Sequence, residues 1–158
     1  MYKHILVPLD GSEFAEKVLP HVEALAKQFG SQVTLVRATT PEVVIVTEMT
    51  SQMTGQPPQP AMDAKPIVEA EQQEAETYLK SVAEHLKGEG IDVQYQRQEG
   101  APAEVITKLA SRLGVDLIAM TTHGRGGLQR VVLGSDADAV VRHAPCPVLL
   151  VRAREAAG

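Results

Sequence analysis

Short apolar runs alternate with stretches of helical periodicity in the first part of this chain. Residues 5–9 form a continuous apolar run that ends at the Asp-Gly-Ser sequence of 10–12, which is typical of a buried parallel strand followed by a turn. Apolar residues then recur at helical spacing over 18–29, and Gly30 ends that pattern. A second strand is predicted over 32–38, so the chain opens with a predicted βαβ unit.

The same alternation continues to the end of the chain, apart from one long interruption. The further predicted elements are a helix marked by 75–86, a strand over 91–98, a helix over 102–113, a strand over 117–120, a helix near 135–143 and a strand over 147–151. The third strand alternates apolar and polar residues, which favours an edge position. This β/α order predicts an α/β protein with an open five-stranded parallel sheet and helices on both faces. Wound in the usual Rossmann-like way, the sheet has the strand order 3-2-1-4-5.

The interruption is the 27-residue segment 39–65, which contains four prolines and three methionines. A loop of this length is uncommon in a compact domain and usually serves as a lid or a partner contact, or is disordered. We expect at least its tip to be disordered. Because domains average roughly 150 residues, the length of the chain predicts a single domain over 1–158.

Composition and charge exclude several classes of protein. The chain carries 15 Lys and Arg against 20 Asp and Glu, for a net charge of −5, and has only 3% aromatic residues. An acidic chain with few aromatic residues lacks the basic stripe and stacking platforms of nucleic-acid-binding proteins. No apolar run approaches the roughly 20 residues of a membrane span, and no segment resembles a signal peptide. Cys146 is the single cysteine, so no internal disulfide can form. We expect a cytoplasmic protein that binds neither nucleic acid nor membranes.

The candidate chemistry follows the first and fourth strands. In an open parallel sheet ligands bind beyond the carboxyl ends of the strands, where strand order reverses, and these two strands are neighbours there. Residues 8–12 follow one of them, and the glycine-rich stretch 121–135 follows the other. Gly134 and Ser135 open a helix, so free N–H groups and the positive helix end lie beside that stretch. Arg125 adds a cationic side chain, and together these features predict a phosphate cradle.

Other interpretations of the same residues remain open. Ser135 followed by Asp138 also forms a capping-box-like pattern, which could by itself account for the serine. Asp10 could serve only to favour the start of the first helix. The five histidines show no metal-ligand spacing. The Walker, dinucleotide-binding and nucleophile-elbow motifs are absent from the sequence, and no nucleophile, base and orienting group form a recognisable set. Binding is therefore favoured over catalysis, and no catalytic residue is predicted.

Two segments resemble the universal stress protein family, and the resemblance covers essentially the whole chain. They are KHILVPLDGSE at the N-terminus and MTTHGRGGLQRVVLGSDADAVVRHAPCPVLLV near the C-terminus. In the ATP-binding branch of the family the loop follows the pattern G-x2-G-x9-G-[ST]. Gly124, nine intervening residues, Gly134 and Ser135 fit the second and third elements, whereas Thr121 replaces the first glycine.

The resemblance implies a division of the site between adenosine and phosphates. Asp10, with the backbone around Pro8 and Leu9, would face the adenosine; Ala38 would offer backbone groups to the adenine edge, and Met120 would line that pocket. The residues implied around the phosphates are Gly124, Arg125, Gly134, Ser135 and Asp136, and Thr121 and His123 complete the predicted site. Asp136 places a negative charge at the helix start, where it could repel phosphate unless a cation or Arg125 compensates.

The function that the resemblance implies is ATP binding by a stress-response protein that acts as a nucleotide-dependent switch, with Mg²⁺ as a candidate companion ion. Two alternatives remain: a structural dimer of the same family that binds no nucleotide, and a slow metal-dependent ATPase that uses Asp10. Family members commonly dimerise through the last strand. The apolar edge of 147–151 also needs a cover, so a symmetric homodimer is expected.

Overall fold

The computed structural model describes residues 1–41, 52, 53, 55, 65–124 and 133–154. The complete elements in this part of the chain are strand β1 (His4–Pro8), a 3₁₀ turn (Ala15–Val18), helix α1 (Leu19–Phe29), β2 (Gln32–Thr39), α2 (Lys65–Gly88), β3 (Asp92–Glu99), α3 (Pro102–Leu113), β4 (Leu117–Gly124), α4 (Ser135–His143) and β5 (Val148–Arg154). Strands and helices alternate, as the sequence predicts.

The five strands form one parallel sheet in the order β3-β2-β1-β4-β5. This confirms the predicted Rossmann-like order, including the edge position of the third strand. β1 lies at the centre, where its Leu6 is the register partner of both Thr34 on β2 and Ile118 on β4. The chain leaves β1 toward one side of the sheet and returns to β4 on the other. Strand order therefore reverses at the carboxyl ends of β1 and β4.

Each face of the sheet is covered by its own apolar layer. Ile5, Val7 and Leu35 face α1 and α2, whereas Leu6 and Val36 face α3 and α4. Successive strand residues point to opposite faces, so a central strand buried on both sides reads as a continuous apolar run. Helices therefore lie on both faces of the sheet, as predicted.

The structure corrects several predicted boundaries. α2 begins at Lys65 rather than near residue 75, since Val68 is buried and the intervening Glu, Gln and Ala residues favour a helix despite their weak apolar periodicity. β4 continues to Gly124 instead of ending at Met120. The start of the expected glycine-rich loop is thus strand, paired with the extended end of β5 at Arg154.

Most of the predicted 39–65 loop lies outside the described residues. Within the described ranges, Thr39 ends β2, Thr40 and Pro41 follow it, and Lys65 starts α2. None of the helices in those ranges is long and apolar enough to cross a membrane.

Candidate functional site

A cavity of about 260 Å³ lies at the carboxyl ends of β1, β2 and β4, beside the start of α4. It occupies the point where strand order reverses, which is where open α/β sheets bind ligands. The predicted site residues that line it are Pro8, Leu9, Asp10, Ala38, Met120, Thr121, Gly134, Ser135 and Asp136. Residues far apart in the sequence are therefore brought to one opening.

Three predicted site residues are not among the described residues that line the cavity. His123 and Gly124 form the end of β4, where their register partners on β5 are Ala153 and Arg154. Arg125 lies outside the described residues, as does most of the nine-residue spacer of the predicted loop.

Sequence reasoning missed other residues of the cavity wall. These are Ala15, Val36, Pro102, Ile106, Thr122 and Ala137. Pro102 and Ile106 belong to the first turns of α3, which starts at the same edge of the sheet because it follows a parallel strand. That topology could have placed them near the site, whereas Thr122 was read only as part of the glycine-rich stretch.

A hydrogen-bonded turn positions Asp10 at one side of the cavity. Its carboxylate accepts hydrogen bonds from the backbone N–H of Ser12 at 2.8 Å and from the Ser12 hydroxyl at 2.5 Å. The same hydroxyl accepts a hydrogen bond from the backbone N–H of Ala15 at 3.1 Å. At the base of the turn, the Leu9 N–H donates to the Val36 carbonyl at 2.9 Å. Asp10 therefore organises the turn and also faces the cavity.

Arg37 packs against the outer side of this turn. Gly11 has φ +88°, and a Cβ atom added there would lie 2.9 Å from Nη1 of Arg37. The guanidinium is held by Glu74, which accepts two hydrogen bonds from it at 3.1 and 2.8 Å, and it lies 5.5 Å from the ring centre of Tyr78. Burial, with smaller contributions from Glu16 and Asp10, raises the pKa of Tyr78 to about 12. The positive φ and the nearby guanidinium both favour glycine at position 11.

Two adjacent threonines of β4 contribute differently to the cavity wall. The hydroxyl of Thr121 donates a hydrogen bond to the Ala15 carbonyl at 3.0 Å. Thr122 lies on the opposite face, the face of Met120, and is 6% exposed. Its Oγ1 has no hydrogen-bond partner in the described part of the chain.

Helix α4 starts at the mouth of the cavity. Gly134 is its N-cap residue, with φ −57° and ψ 156°, and no side chain caps the helix. The capping-box interpretation of Ser135 is therefore wrong: Ser135 is the first helical residue, and the carboxylate of Asp138 instead accepts from Arg142 at 2.9 Å. The first backbone N–H groups of a helix lack intrahelical acceptors, so the positive end of α4 lies beside the cavity.

The ionisable side chains among the described lining residues are both acidic, Asp10 and Asp136. No group of three or more His, Cys, Asp or Glu residues in the described ranges is arranged to hold a metal ion. The site thus places helix N–H groups without intrahelical acceptors beside two carboxylates.

Comparison with known proteins places this architecture in a family. The family model described as the universal stress protein family matches residues 1–152. The chain belongs to the universal stress protein family. A universal stress protein of Methanocaldococcus jannaschii is 32% identical over 152 residues, which cover 96% of this chain and 83% of that protein.

Several solved structures match this structure over nearly its full length. The hypothetical protein MJ0577 has 29% identity and a TM-score of 0.76, with 99% of each chain covered. A universal stress protein in complex with cAMP has 20% identity and a TM-score of 0.64, covering 97% of this chain and 98% of the other. The universal stress protein from Archaeoglobus fulgidus in complex with dAMP has 21% identity and a TM-score of 0.60, covering 94% of this chain and 97% of the other. At such identities the last two matches establish the shared fold.

Proposed function

We propose that this universal stress protein binds an adenine nucleotide, ATP, in the cavity at the carboxyl ends of β1, β2 and β4, and acts as a nucleotide-dependent switch. The observation that carries this proposal is the convergence of the turn at Asp10 and the start of α4 at Gly134 and Ser135 on one cavity. The first provides a carboxylate for hydroxyl groups and the second provides backbone N–H groups for phosphates.

Two structural relatives support the ligand class. One is a complex with cAMP and the other a complex with dAMP, which share an adenine base and a phosphate. In this chain the apolar wall of the cavity, which includes Val36, Ile106 and Met120, suits the flat face of a base. The backbone of Ala38 would then meet the adenine edge, and Asp10 would meet the ribose.

The conformation of Gly134 supports phosphate binding at the start of α4. Its φ of −57° is accessible to any residue, and an added Cβ would meet no atom of the described structure within 4 Å. The described part of the fold therefore does not require glycine at this position. Open space beside free helix N–H groups is what a phosphate needs for close approach. In the proposed complex Gly124 and Arg125 contribute to the same end of the nucleotide.

In its described part, the cavity carries charges that favour a bound cation together with ATP. Asp10 and Asp136 both line it, and the triphosphate adds further negative charge. Mg²⁺ typically binds through one or two carboxylates and the phosphates of its nucleotide. We therefore propose that Mg²⁺ enters with ATP, with Asp136 as the carboxylate at the phosphate end.

The switch requires that ATP bind one conformation of the protein more tightly than another, because equal affinity for two states shifts neither. The candidate responders are the 39–65 segment, which joins β2 to α2, and the dimer surface. Hydrogen exchange of the ATP-bound and nucleotide-free protein tests this step, and identical exchange outside the cavity would contradict a switch.

Calorimetric titration with ATP tests the proposed binding. We expect micromolar affinity for the wild-type protein, weakened at least tenfold in Gly134→Ala, whose methyl group occupies the space beside the helix N–H groups. Gly88→Ala is the matched control, since Gly88 also has open space around an added Cβ but lies at the end of α2, away from the cavity-lining residues. ATP binding weaker than millimolar by the wild-type protein would contradict the proposal.

We also propose a homodimer formed through β5. This strand occupies one edge of the sheet, and Leu149, Leu150 and Val151 remain partly exposed in the single chain. An unpaired apolar edge promotes association with another strand. Sedimentation equilibrium should give twice the 17.0 kDa mass of one chain. A mass equal to one chain across the concentration range would contradict the dimer.

A further inference from the structure

The side chain of Arg37 lies against the turn of residues 10–12, which presents Asp10 to the cavity. Arg37 precedes the cavity-lining residue Ala38 on β2, so its side chain points to the opposite face of the sheet, the face covered by α1 and α2. The side chain is only 14% exposed. Three guanidinium atoms would lie 2.9, 3.1 and 3.3 Å from a Cβ atom added to Gly11. A movement of the turn therefore meets this guanidinium.

The same guanidinium also contacts helix α2. Glu74 accepts two hydrogen bonds from it, at 3.1 and 2.8 Å, and this bidentate geometry fixes both groups relative to each other. Tyr78 lies one helical turn further along the same side of α2, and its ring centre is 5.5 Å from Cζ of Arg37. One flat cation thus joins two parts of the fold that are distant in the sequence, the turn of 10–12 and α2.

The N-terminal segment of α2, residues 65–74, is attached to the sheet differently from the rest of the helix. Leu79 and Leu86, which are fully buried, belong to the apolar layer on this face, whereas Val68 is the one buried residue of the N-terminal segment. Polar contacts with the ends of β2 and β3 hold this segment. They run from the Thr40 N–H to Glu71 at 3.3 Å, from Gln72 to Glu99 at 2.9 Å, and from Arg37 to Glu74.

This difference makes the N-terminal segment the part of α2 that opens most readily. A polar pair with an exposed partner contributes little to stability compared with the burial of a leucine side chain. A weakly attached helix end opens locally, without unfolding of the whole protein, and its backbone N–H groups then exchange with solvent. Because Arg37 contacts both the turn and Glu74, the conformation of the turn and the attachment of the segment depend on each other.

We propose that Arg37 is a positioning residue that couples the nucleotide cavity to the N-terminal segment of α2. ATP bound beside Asp10 holds the turn in the conformation against which the guanidinium packs. The guanidinium then stays in place for Glu74, and the segment opens less often. This inference rests on the proposed function, because it identifies a part of the chain that responds to ATP. The coupling is reciprocal, so opening of the segment weakens ATP binding by the factor by which ATP suppresses opening.

Amide hydrogen exchange of residues 69–74, followed by NMR with and without saturating ATP, tests the coupling. These residues lie beyond the first helical N–H groups, which lack intrahelical acceptors. In the wild-type protein ATP should slow their exchange by about fivefold or more, as is typical of coupled sites. Arg37→Gln removes the guanidinium, so ATP should change the exchange by less than about twofold. A side chain that only stabilised the helix would change exchange by one factor in both states and leave the ATP effect intact.

Arg97→Gln is the matched control for this variant. Arg97 is on the neighbouring strand β3 and pairs with Glu76 of the same helix at 3.8 Å, whereas the atoms nearest to an added Gly11 Cβ belong to Arg37. Arg97→Gln should therefore retain the wild-type ATP effect.

A second pair of variants interrupts the same contacts from the helix side. Glu74 and Glu76 have side chains that are 60% and 64% exposed, and alanine favours a helix at both positions, so both variants should fold. Glu74→Ala should lose the ATP effect on residues 69–74, and Glu76→Ala should keep it.

Three results would overturn the inference alone. The first is exchange of residues 69–74 in the ATP-bound wild-type protein that is no slower than in the free protein. The second is an ATP effect in Arg37→Gln or Glu74→Ala as large as in the wild type, and the third is its loss in Arg97→Gln or Glu76→Ala. Failure of the wild-type protein to bind ATP in calorimetry would instead contradict the proposed function.

Discussion

The hydroxyl of Thr121 donates a hydrogen bond to the carbonyl oxygen of Ala15 at a distance of 3.0 Å. This bond joins β4 to the 3₁₀ turn that follows β1, so it fixes two walls of the cavity relative to each other. Thr121 stands where the loop pattern of the family's ATP-binding branch has a glycine. The departure from that pattern therefore supplies a structural bond on the face of β4 opposite to Met120 and Thr122.

Thr121→Gly should destabilise the free protein. The substitution removes one hydrogen bond, worth about 0.5–1.5 kcal/mol, and places glycine inside a strand, which costs about 0.5–1 kcal/mol more. We expect the free energy of unfolding, measured in urea, to fall by about 1–2.5 kcal/mol. An unchanged value would show that the bond to Ala15 contributes nothing to stability.

Gly11→Ala should impair both stability and ATP binding. Gly11 has φ +88°, which strains any residue with a side chain, and the new methyl group would lie 2.9 Å from Nη1 of Arg37, so the guanidinium or the turn that presents Asp10 has to shift. Gly30 is the matched control, because its φ is +64° but an added Cβ would meet nothing within 4 Å. The free energy of unfolding of both alanine variants, measured in urea, should fall by about 1–2 kcal/mol. Only Gly11→Ala should weaken ATP binding, measured by calorimetry. Equal ATP affinity in the two variants would count against a role of the turn in binding.

Asp136→Asn should reduce the effect of Mg²⁺ on ATP affinity. In the wild-type protein we expect Mg²⁺ to strengthen ATP binding, because the ion offsets repulsion between the phosphates and the cavity carboxylates. Asp138→Asn is the control: this residue is in the same first turn of α4, but its carboxylate pairs with Arg142 and it does not line the cavity. The ratio of ATP affinities with and without Mg²⁺ should fall only in Asp136→Asn. An unchanged ratio there would exclude Asp136 from the ion's surroundings.

His4 should make the stability of the protein depend on pH. Burial lowers the pKa of His4 below its ordinary 6.5, and it outweighs the opposing effect of Asp116 and Asp92. Between the lowered pKa and 6.5 the unfolded chain binds more protons than the folded one, so stability falls as the pH falls through this range. Between about pH 7 and pH 5, the free energy of unfolding measured in urea should decrease less in His4→Gln than in the wild type. An equal slope in His4→Gln and in the wild type would exclude His4 as a source of the pH dependence.

The sequence predicts the sheet well because burial on both faces leaves a clear pattern. In the apolar run of 5–9, alternate residues face the apolar layers on opposite sides of the sheet, so every position is apolar. A strand with one face in solvent would instead alternate apolar and polar residues. The start of α2 was missed because residues 69–74 are mainly Glu and Gln, which favour a helix without marking a buried face.

The cavity was predicted in part, for an equally physical reason. Asp10 and Ser135 follow directly from motifs at strand and helix ends, and the structure brings both to the cavity. Ala15, Pro102 and Ile106 belong to no sequence motif that indicates a binding site. They line the cavity only because of the packing of the 3₁₀ turn and α3. Thr121 and Thr122 are adjacent threonines in the sequence, and only the structure shows that they occupy opposite faces of β4 and that the hydroxyl of Thr121 bonds to the Ala15 carbonyl.

The most direct test of the central claim is an NMR titration of the ¹⁵N-labelled protein with ATP in the presence of Mg²⁺. The account predicts large shift changes for the backbone N–H groups of Asp10, Thr121 and Ser135, around the cavity. It also predicts small changes for Ile91 and Asp116, at the opposite, amino-terminal edge of the sheet. Changes confined to that opposite edge, or no changes at saturating ATP, would contradict nucleotide binding at the carboxyl ends of β1, β2 and β4.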